Sequence, residues 1–116
     1  MSAWISSTLF FVSDVDAAID FYVGRLGFAL NMRHEEGGRA LVAGVSRGEG
    51  CALLLTSQWP DRTGSGILYT ALEPGDFARL QSALAAARVA VEDGWWGEKL
   101  LIVADRDGNQ LYFPRP

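Results

Sequence analysis

Phe11-Val12-Ser13-Asp14-Val15-Asp16-Ala17-Ala18-Ile19-Asp20-Phe21-Tyr22 holds the change of hydrophobic period on which the fold turns. Residues 4–12, up to Val12, are rich in β-branched and aromatic side chains and read as a strand. Beyond Ser13-Asp14, the residues Val15, Ala18, Ile19, Tyr22 and Leu26 fall on one stripe of an amphipathic helix, and Asp14 stands where a helix cap accepts the first free N–H groups. Gly27 closes that helix in the left-handed conformation that glycine adopts at little cost.

Working outward, Phe28, Leu30 and Met32 alternate with Ala29, Asn31 and Arg33, and Glu35-Glu36-Gly37-Gly38 turns the chain back into residues 39–45, which predicts a hairpin. After a second Gly-containing turn at 46–50, the short apolar run Cys51–Thr56 reads as a buried strand, being too brief for a helix. The polar, Gly- and Pro-punctuated residues 57–66 form a connector, and the order then restarts. A strand over 67–72 precedes a helix capped at Pro74-Gly75-Asp76 and carrying Phe77, Leu80, Leu84 and Ala87 on one face; strands follow at Val89-Ala90-Val91, 99–104 and 110–113. Asp14 and Asp76 lie 62 positions apart, as do Thr8 and Thr70, a repeat of element order. The expected fold is α+β: two βαβββ modules forming a curved mixed sheet around a cleft. Residues 1–116 are read as one domain, with module 1 about 1–57, a linker at 58–66 and module 2 about 67–116.

Composition narrows the function classes. A chain of 116 residues with 49% hydrophobic and 21% charged side chains can build one core, and has no apolar run long enough to span a membrane. Met1-Ser2-Ala3-Trp4-Ile5 lacks a secretory pattern, so the expected location is the cytoplasm. One cysteine, Cys51, and one histidine, His34, support neither a disulfide scaffold nor a zinc module. A net charge of −4 and a pI near 4.8 oppose nucleic-acid binding and suit a cationic or neutral small molecule.

The stretch from Phe11 to Tyr22 with Leu26-Gly27-Phe28, and the ending Ala104-Asp105-Arg106-Asp107-Gly108-Asn109-Gln110-Leu111-Tyr112-Phe113, together resemble the vicinal oxygen chelate superfamily, with Arg106 where that family's closing hairpin has Pro. The superfamily includes glyoxalase I, extradiol dioxygenases, fosfomycin-resistance transferases and bleomycin-resistance proteins, so the resemblance implies a fold more strongly than a function. Its metal-ligand positions correspond here to Ser7, Leu54, Ile67 and Tyr112. A hydroxyl, two aliphatics and a phenol are not the imidazole and carboxylate set that Zn, Ni, Mn or Fe requires, so neither a metal nor another cofactor is expected. The resemblance also implies a homodimer that completes the site from two subunits.

Other catalytic constellations are missing from the pattern. His34 is expected at a hairpin tip, Cys51 has no evident activating base, and Gly64-Ser65-Gly66 lacks the lysine of a phosphate loop. Asp105 and Asp107 are expected to bind their own turn, and Gly108-Asn109 to supply positive φ there. The unusual feature is tryptophan: Trp59, Trp95 and Trp96 fall in predicted loops, where an indole can stack on a heterocycle or face a cation. Trp96-Gly97 is similar to a step in bleomycin-resistance proteins, and Glu92-Asp93 and Glu98 flank it with negative charge. The expectation is a metal-free protein that sequesters a planar cationic antibiotic. Ser7, Leu54, Ile67, Tyr69 and Tyr112 would line the floor, Trp59 and Trp96 would stack, and Asp61 or Glu98 would supply charge. An enzyme of the same fold and a metabolite-binding module are the alternatives, separated by turnover and by ligand identity.

Overall fold

In the computed structural model, which describes residues 4–116, Asp14 Oδ1 accepts the Ala17 N–H at 3.0 Å and starts α1 (Val15–Ile19). Residues 1–3, the head of the N-terminal stretch read above, lie outside the described residues. The preceding strand, β1 (Thr8–Phe11), is shorter than predicted: the run 4–12 is strand only where β4 lies beside it, and Trp4 and Ile5 are almost fully exposed. Helix α1 passes directly into a π-helical turn over Asp20–Arg25, in which the Leu26 N–H reaches the Phe21 carbonyl. The predicted stripe is buried, with Val15, Ala18, Tyr22 and Leu26 in the core, and Gly27 ends the segment at φ +80°.

Strands β2 (Ala29–Glu36), β3 (Arg39–Arg47) and β4 (Cys51–Thr56) complete a sheet of order β1-β4-β3-β2, with β1 parallel to β4 and the other pairs antiparallel. The second sheet repeats this plan: β5 (Ile67–Tyr69), α2 (Pro74–Ala86), β6 (Glu92–Trp95), β7 (Lys99–Ala104) and β8 (Gln110–Pro114), in order β5-β8-β7-β6. The architecture is α+β, two curved four-stranded mixed sheets consistent with two βαβββ modules.

Five expectations in the second module are corrected, the first being the strand over 67–72, of which only Ile67–Tyr69 is strand. Helix α2 is not capped at Asp76: Pro74 is its first residue, Glu73 precedes it without a side-chain cap, and Asp76 binds Arg79 at 2.6 Å within the first turns. The repeat is therefore spaced by 59 positions, from Thr8 to Ile67 and from Val15 to Pro74, not by 62. Val89-Ala90-Val91 is not a strand, because Arg88 takes φ +56° and the Val89 N–H still caps the Leu84 carbonyl; β6 begins only at Glu92. Trp95 consequently ends a strand instead of sitting in a loop.

Register assigns the faces. Phe10, Leu53, Leu55, Ala43 and Val45 point toward α1, and Phe10 meets Tyr22 with ring centroids 6.3 Å apart. Leu68, Leu111, Phe113, Leu101 and Val103 point toward Phe77, Leu80 and Leu84 of α2. These helix-facing residues form one core shared by both modules. The opposite faces stay open. Leu9, Met32, Trp59, Ile67, Tyr69 and Trp96, six of the eleven exposed large apolar side chains, lie on them or at their edge. Contiguous exposed apolar surface marks binding sites, and Ile67, Tyr69 and Trp96 form such a group on the second sheet.

The closing turn ties the modules together. Asp105 Oδ1 accepts the N–H groups of Asp107 and Asn109, and its Oδ2 accepts the Tyr22 hydroxyl and the Asn109 amide at 3.0 Å each. The Asn109 side chain also donates to the Phe11 carbonyl and accepts from the Gly66 N–H, bridging the end of β1 to the start of β5. Asp107 does not bind its own turn as expected; its carboxylate accepts both the N–H and the hydroxyl of Ser13. Gly108 alone takes the positive φ, +101°, and Asn109 contributes hydrogen bonds, not backbone freedom. Gly66 leaves no room for a side chain: a Cβ there would stand 2.6 Å from the Phe10 ring.

Candidate functional site

Four of the predicted ligand-binding residues gather on the open face of the second sheet. The turn Trp96-Gly97-Glu98 joins β6 to β7 with Gly97 at φ +94°, folding Trp96 back over the strands. Its indole stacks on Tyr69 of β5, with centroids 5.5 Å apart and planes inclined by 27°, and meets Tyr112 of β8 edge-on at 5.2 Å. Tyr69 and Tyr112 are register partners, so the sheet itself sets their spacing. Glu98 Oε2 accepts the Tyr69 hydroxyl at 3.1 Å and the Trp96 Nε1–H at 3.3 Å. Gln110 accepts the Tyr112 hydroxyl at 3.3 Å. Desolvation against this cluster, reinforced by the hydrogen bond to Glu98, raises the Tyr69 phenol above its ordinary pKa. The result is an aromatic platform with a fixed carboxylate at its rim.

A second aromatic group stands at the other end of β5. Trp59, in the left-handed conformation at φ +56°, precedes a 3₁₀ turn over Pro60–Arg62 and packs edge-on against Phe11, 6.2 Å away. The Arg62 guanidinium lies 5.7 Å from the Trp59 ring and 5.8 Å from the Phe11 ring. Trp59 and Trp96 thus belong to separate clusters, not to one sandwich. Ile67, on the same face of β5 as Tyr69, lies between them along the strand. Leu54 pairs with Leu9 on the open face of the first sheet, while Ser7 and Asp61 are exposed and carry no side-chain hydrogen bond among the described residues.

Ser7, Leu54, Ile67 and Tyr112, the positions that the resemblance assigns to metal ligands, offer no anionic or imidazole donor, and a divalent transition ion does not fit this set. Among the described residues no three His, Cys, Asp or Glu side chains cluster in a way that could hold a metal. His34 lies within β2, exposed, with Nε2 3.7 Å from Glu36. Cys51 is half-buried, and burial pushes its thiol pKa up against the opposing effects of Thr70 and Arg47. A raised thiol pKa is the reverse of nucleophile activation.

A cavity of about 630 Å³ opens on the other, helix-facing side, between β1, β5 and α2. Leu80, Leu84, Phe28, Leu111 and Phe113 line it, and Tyr69 is the only predicted site residue at its wall. The aromatic platform is a separate place. Sequence reasoning missed Phe11, Arg62 and Gln110, and the alternation Leu9/Phe11 within β1 was the signal that would have put Phe11 beside Leu9 on the open face.

The fold defines a class, and comparison with known proteins agrees. A sequence model of the Glyoxalase/Bleomycin resistance protein/Dioxygenase superfamily matches residues 4–113, and the chain belongs to that superfamily. Among solved structures, it is similar to TnmS3, an antibiotic binding protein from Streptomyces sp. CB03234, at 26% identity and TM-score 0.73, over 100% of this chain and 99% of that one. The bleomycin-binding protein of Streptomyces verticillus, solved with copper(II)-bleomycin, shares the fold at 20% identity and TM-score 0.73, with the same coverage. So does a lactoylglutathione lyase from Agrobacterium tumefaciens, at 18% identity and TM-score 0.71, over 99% of this chain and 95% of that one. No curated protein matches the chain. Among the described residues no helix is long and apolar enough to cross a membrane.

Proposed function

We propose that this chain is a metal-free binding protein of the bleomycin-resistance type, sequestering a planar cationic antibiotic in the cytoplasm without altering it. The observation that carries this reading is the Trp96, Tyr69 and Tyr112 cluster, held by Glu98 on the open face of the second sheet. Rings fixed by their neighbours bind a planar partner with little ordering cost, and a rim carboxylate attracts positive charge. Ile67 and Leu54 supply the apolar floor, Trp59 the far wall, and Ser7 and Asp61 polar contacts at the edge. The description of TnmS3 as an antibiotic binding protein supports an antibiotic as the ligand. A homodimer would cover the open faces, and β2, exposed along its whole length with Leu30 and Met32 bare, offers the edge for it.

Native mass spectrometry and calorimetric titration with a cationic acridine test the reading together. The expected result is a dimer binding one acridine per chain, with saturable quenching of indole emission and recovery of the dye unchanged. Chemical conversion of ligand would favour an enzyme of this fold, and failure of every planar aromatic to bind would refute the proposal.

A further inference from the structure

The proposed site is not electrostatically uniform, and its Trp59 end differs in kind from its Trp96 end. Arg62 has its guanidinium beside two aromatic rings, yet makes no side-chain hydrogen bond or ion pair among the described residues. Of the nine arginines, four have acceptors: Arg25 on the Ala87 and Arg88 carbonyls, Arg33 on Asp16 and Glu35, Arg79 on Asp76 and Arg115 on Asp93. Arg39, Arg47, Arg88 and Arg106 share with Arg62 the lack of one, and among these five Arg62 alone lies over aromatic rings among the described residues. Asp61 is its sequence neighbour but forms no ion pair with it. A guanidinium resting on rings keeps its N–H edge free, and that planar fork matches a carboxylate in two parallel hydrogen bonds.

Position adds to this. Asn109 bridges the Phe11 carbonyl and the Gly66 N–H, which places the Arg62 cluster beside the first residue of β5. Tyr69, the foot of the Trp96 platform, is two residues further along the same face, about 7 Å at the ordinary rise of a strand. The two clusters thus lie toward opposite ends of one short strand, as two ends of a single elongated aromatic ligand would require. Resting on the reading that this face binds a planar aromatic, we infer that Arg62 is a specificity-determining residue that binds a carboxylate on the ligand, so that the natural ligand is amphoteric, with its acid at Arg62 and its cationic group at Glu98.

The test compares anthracene carboxylate with the uncharged anthracene carboxamide by indole quenching, on the full chain and on Arg62→Met and Arg62→Lys. Methionine keeps a long apolar stem against the rings while removing charge and donors, and thermal melts check that each variant folds. The wild-type protein is expected to prefer the carboxylate by at least tenfold, a preference that shrinks with salt. Arg62→Met is expected to lose that preference while its carboxamide affinity changes less than twofold, and Arg62→Lys to regain part of it. Equal binding of the two probes by the wild type, or a preference that survives Arg62→Met, overturns the role of Arg62 and leaves the aromatic site standing. Binding of neither probe, nor of the cationic acridine, overturns the reading of the site itself.

Discussion

Asp105→Ala removes the acceptor on which four donors converge. Two of them have somewhere else to go: the Asn109 amide retains the Phe11 carbonyl, and the Asp107 N–H lies at a part-buried turn that water can reach. The Tyr22 hydroxyl and the Asn109 N–H do not, since Tyr22 and Asn109 are both 0% exposed. Leaving a buried donor unsatisfied costs about 1–3 kcal/mol, so the two together predict a loss of about 4 kcal/mol. Tyr22→Phe removes one hydrogen bond to a carboxylate and leaves Oδ2 with the Asn109 amide, for a loss of about 1.5 kcal/mol. Urea unfolding followed by circular dichroism, with the double variant completing the cycle, measures both values and their coupling. A cost below about 1 kcal/mol for Asp105→Ala, or no coupling between the two positions, would show that the closing turn does not hold the modules as described.

Gly66→Ala should cost about 1–3 kcal/mol in the same assay, because its Cβ would meet the buried Phe10 ring and Asn109 Oδ1; a neutral result would mean that the β1–β5 approach is looser than drawn. Burial, followed by the charge and hydrogen bond of Asp105, holds the Tyr22 phenol far above its ordinary pKa. The unfolded chain then releases that proton first, so stability is full below about pH 10 and falls by about 1.4 kcal/mol per unit above it; Tyr22→Phe should remove this slope in alkaline melts. Trp96→Ala should weaken binding of the cationic acridine by about 1–3 kcal/mol, as read by calorimetry, and an unchanged affinity alongside a lowered melting temperature would make Trp96 a structural plug.

Much of this arrangement was legible in the sequence, and the misreadings have physical sources. Asp14 and Gly27 gave local signals for the ends of the first helical segment, and both positions behave as the signals say. In the second module, Pro74 at the first helical position made Asp76 resemble a cap, and the left-handed helix end at Arg88 lacks the glycine that announces such a terminus. Tyr69, Tyr112, Trp96 and Glu98 are legible in the sequence as candidates, Trp96 through the Trp-Gly step that the family resemblance singles out. Their mutual contacts could not be read, since the register of β5 on β8 and the fold-back at Gly97 decide them. Arg62 escaped notice because its place depends on a left-handed Trp59, a conformation with no sequence signal in a tryptophan.

The bonds from Asp105, Asp107 and Asn109 to Tyr22, Ser13 and Phe11 cross 83, 94 and 98 positions of chain. Contacts so distant in sequence must close a large loop before they contribute anything, and they set a slow tempo for folding. During synthesis the first sheet and its helix leave the ribosome long before their latch exists. Until the closing turn is free, the Tyr22 hydroxyl has only water to bond, the Phe11 carbonyl has the Gly64 N–H but not the Asn109 amide, and the end of β1 remains an unfinished edge. The nascent first module is therefore the stage most exposed to mispairing, and a variant that weakens the latch should lower the yield of soluble protein more than its equilibrium stability alone would suggest.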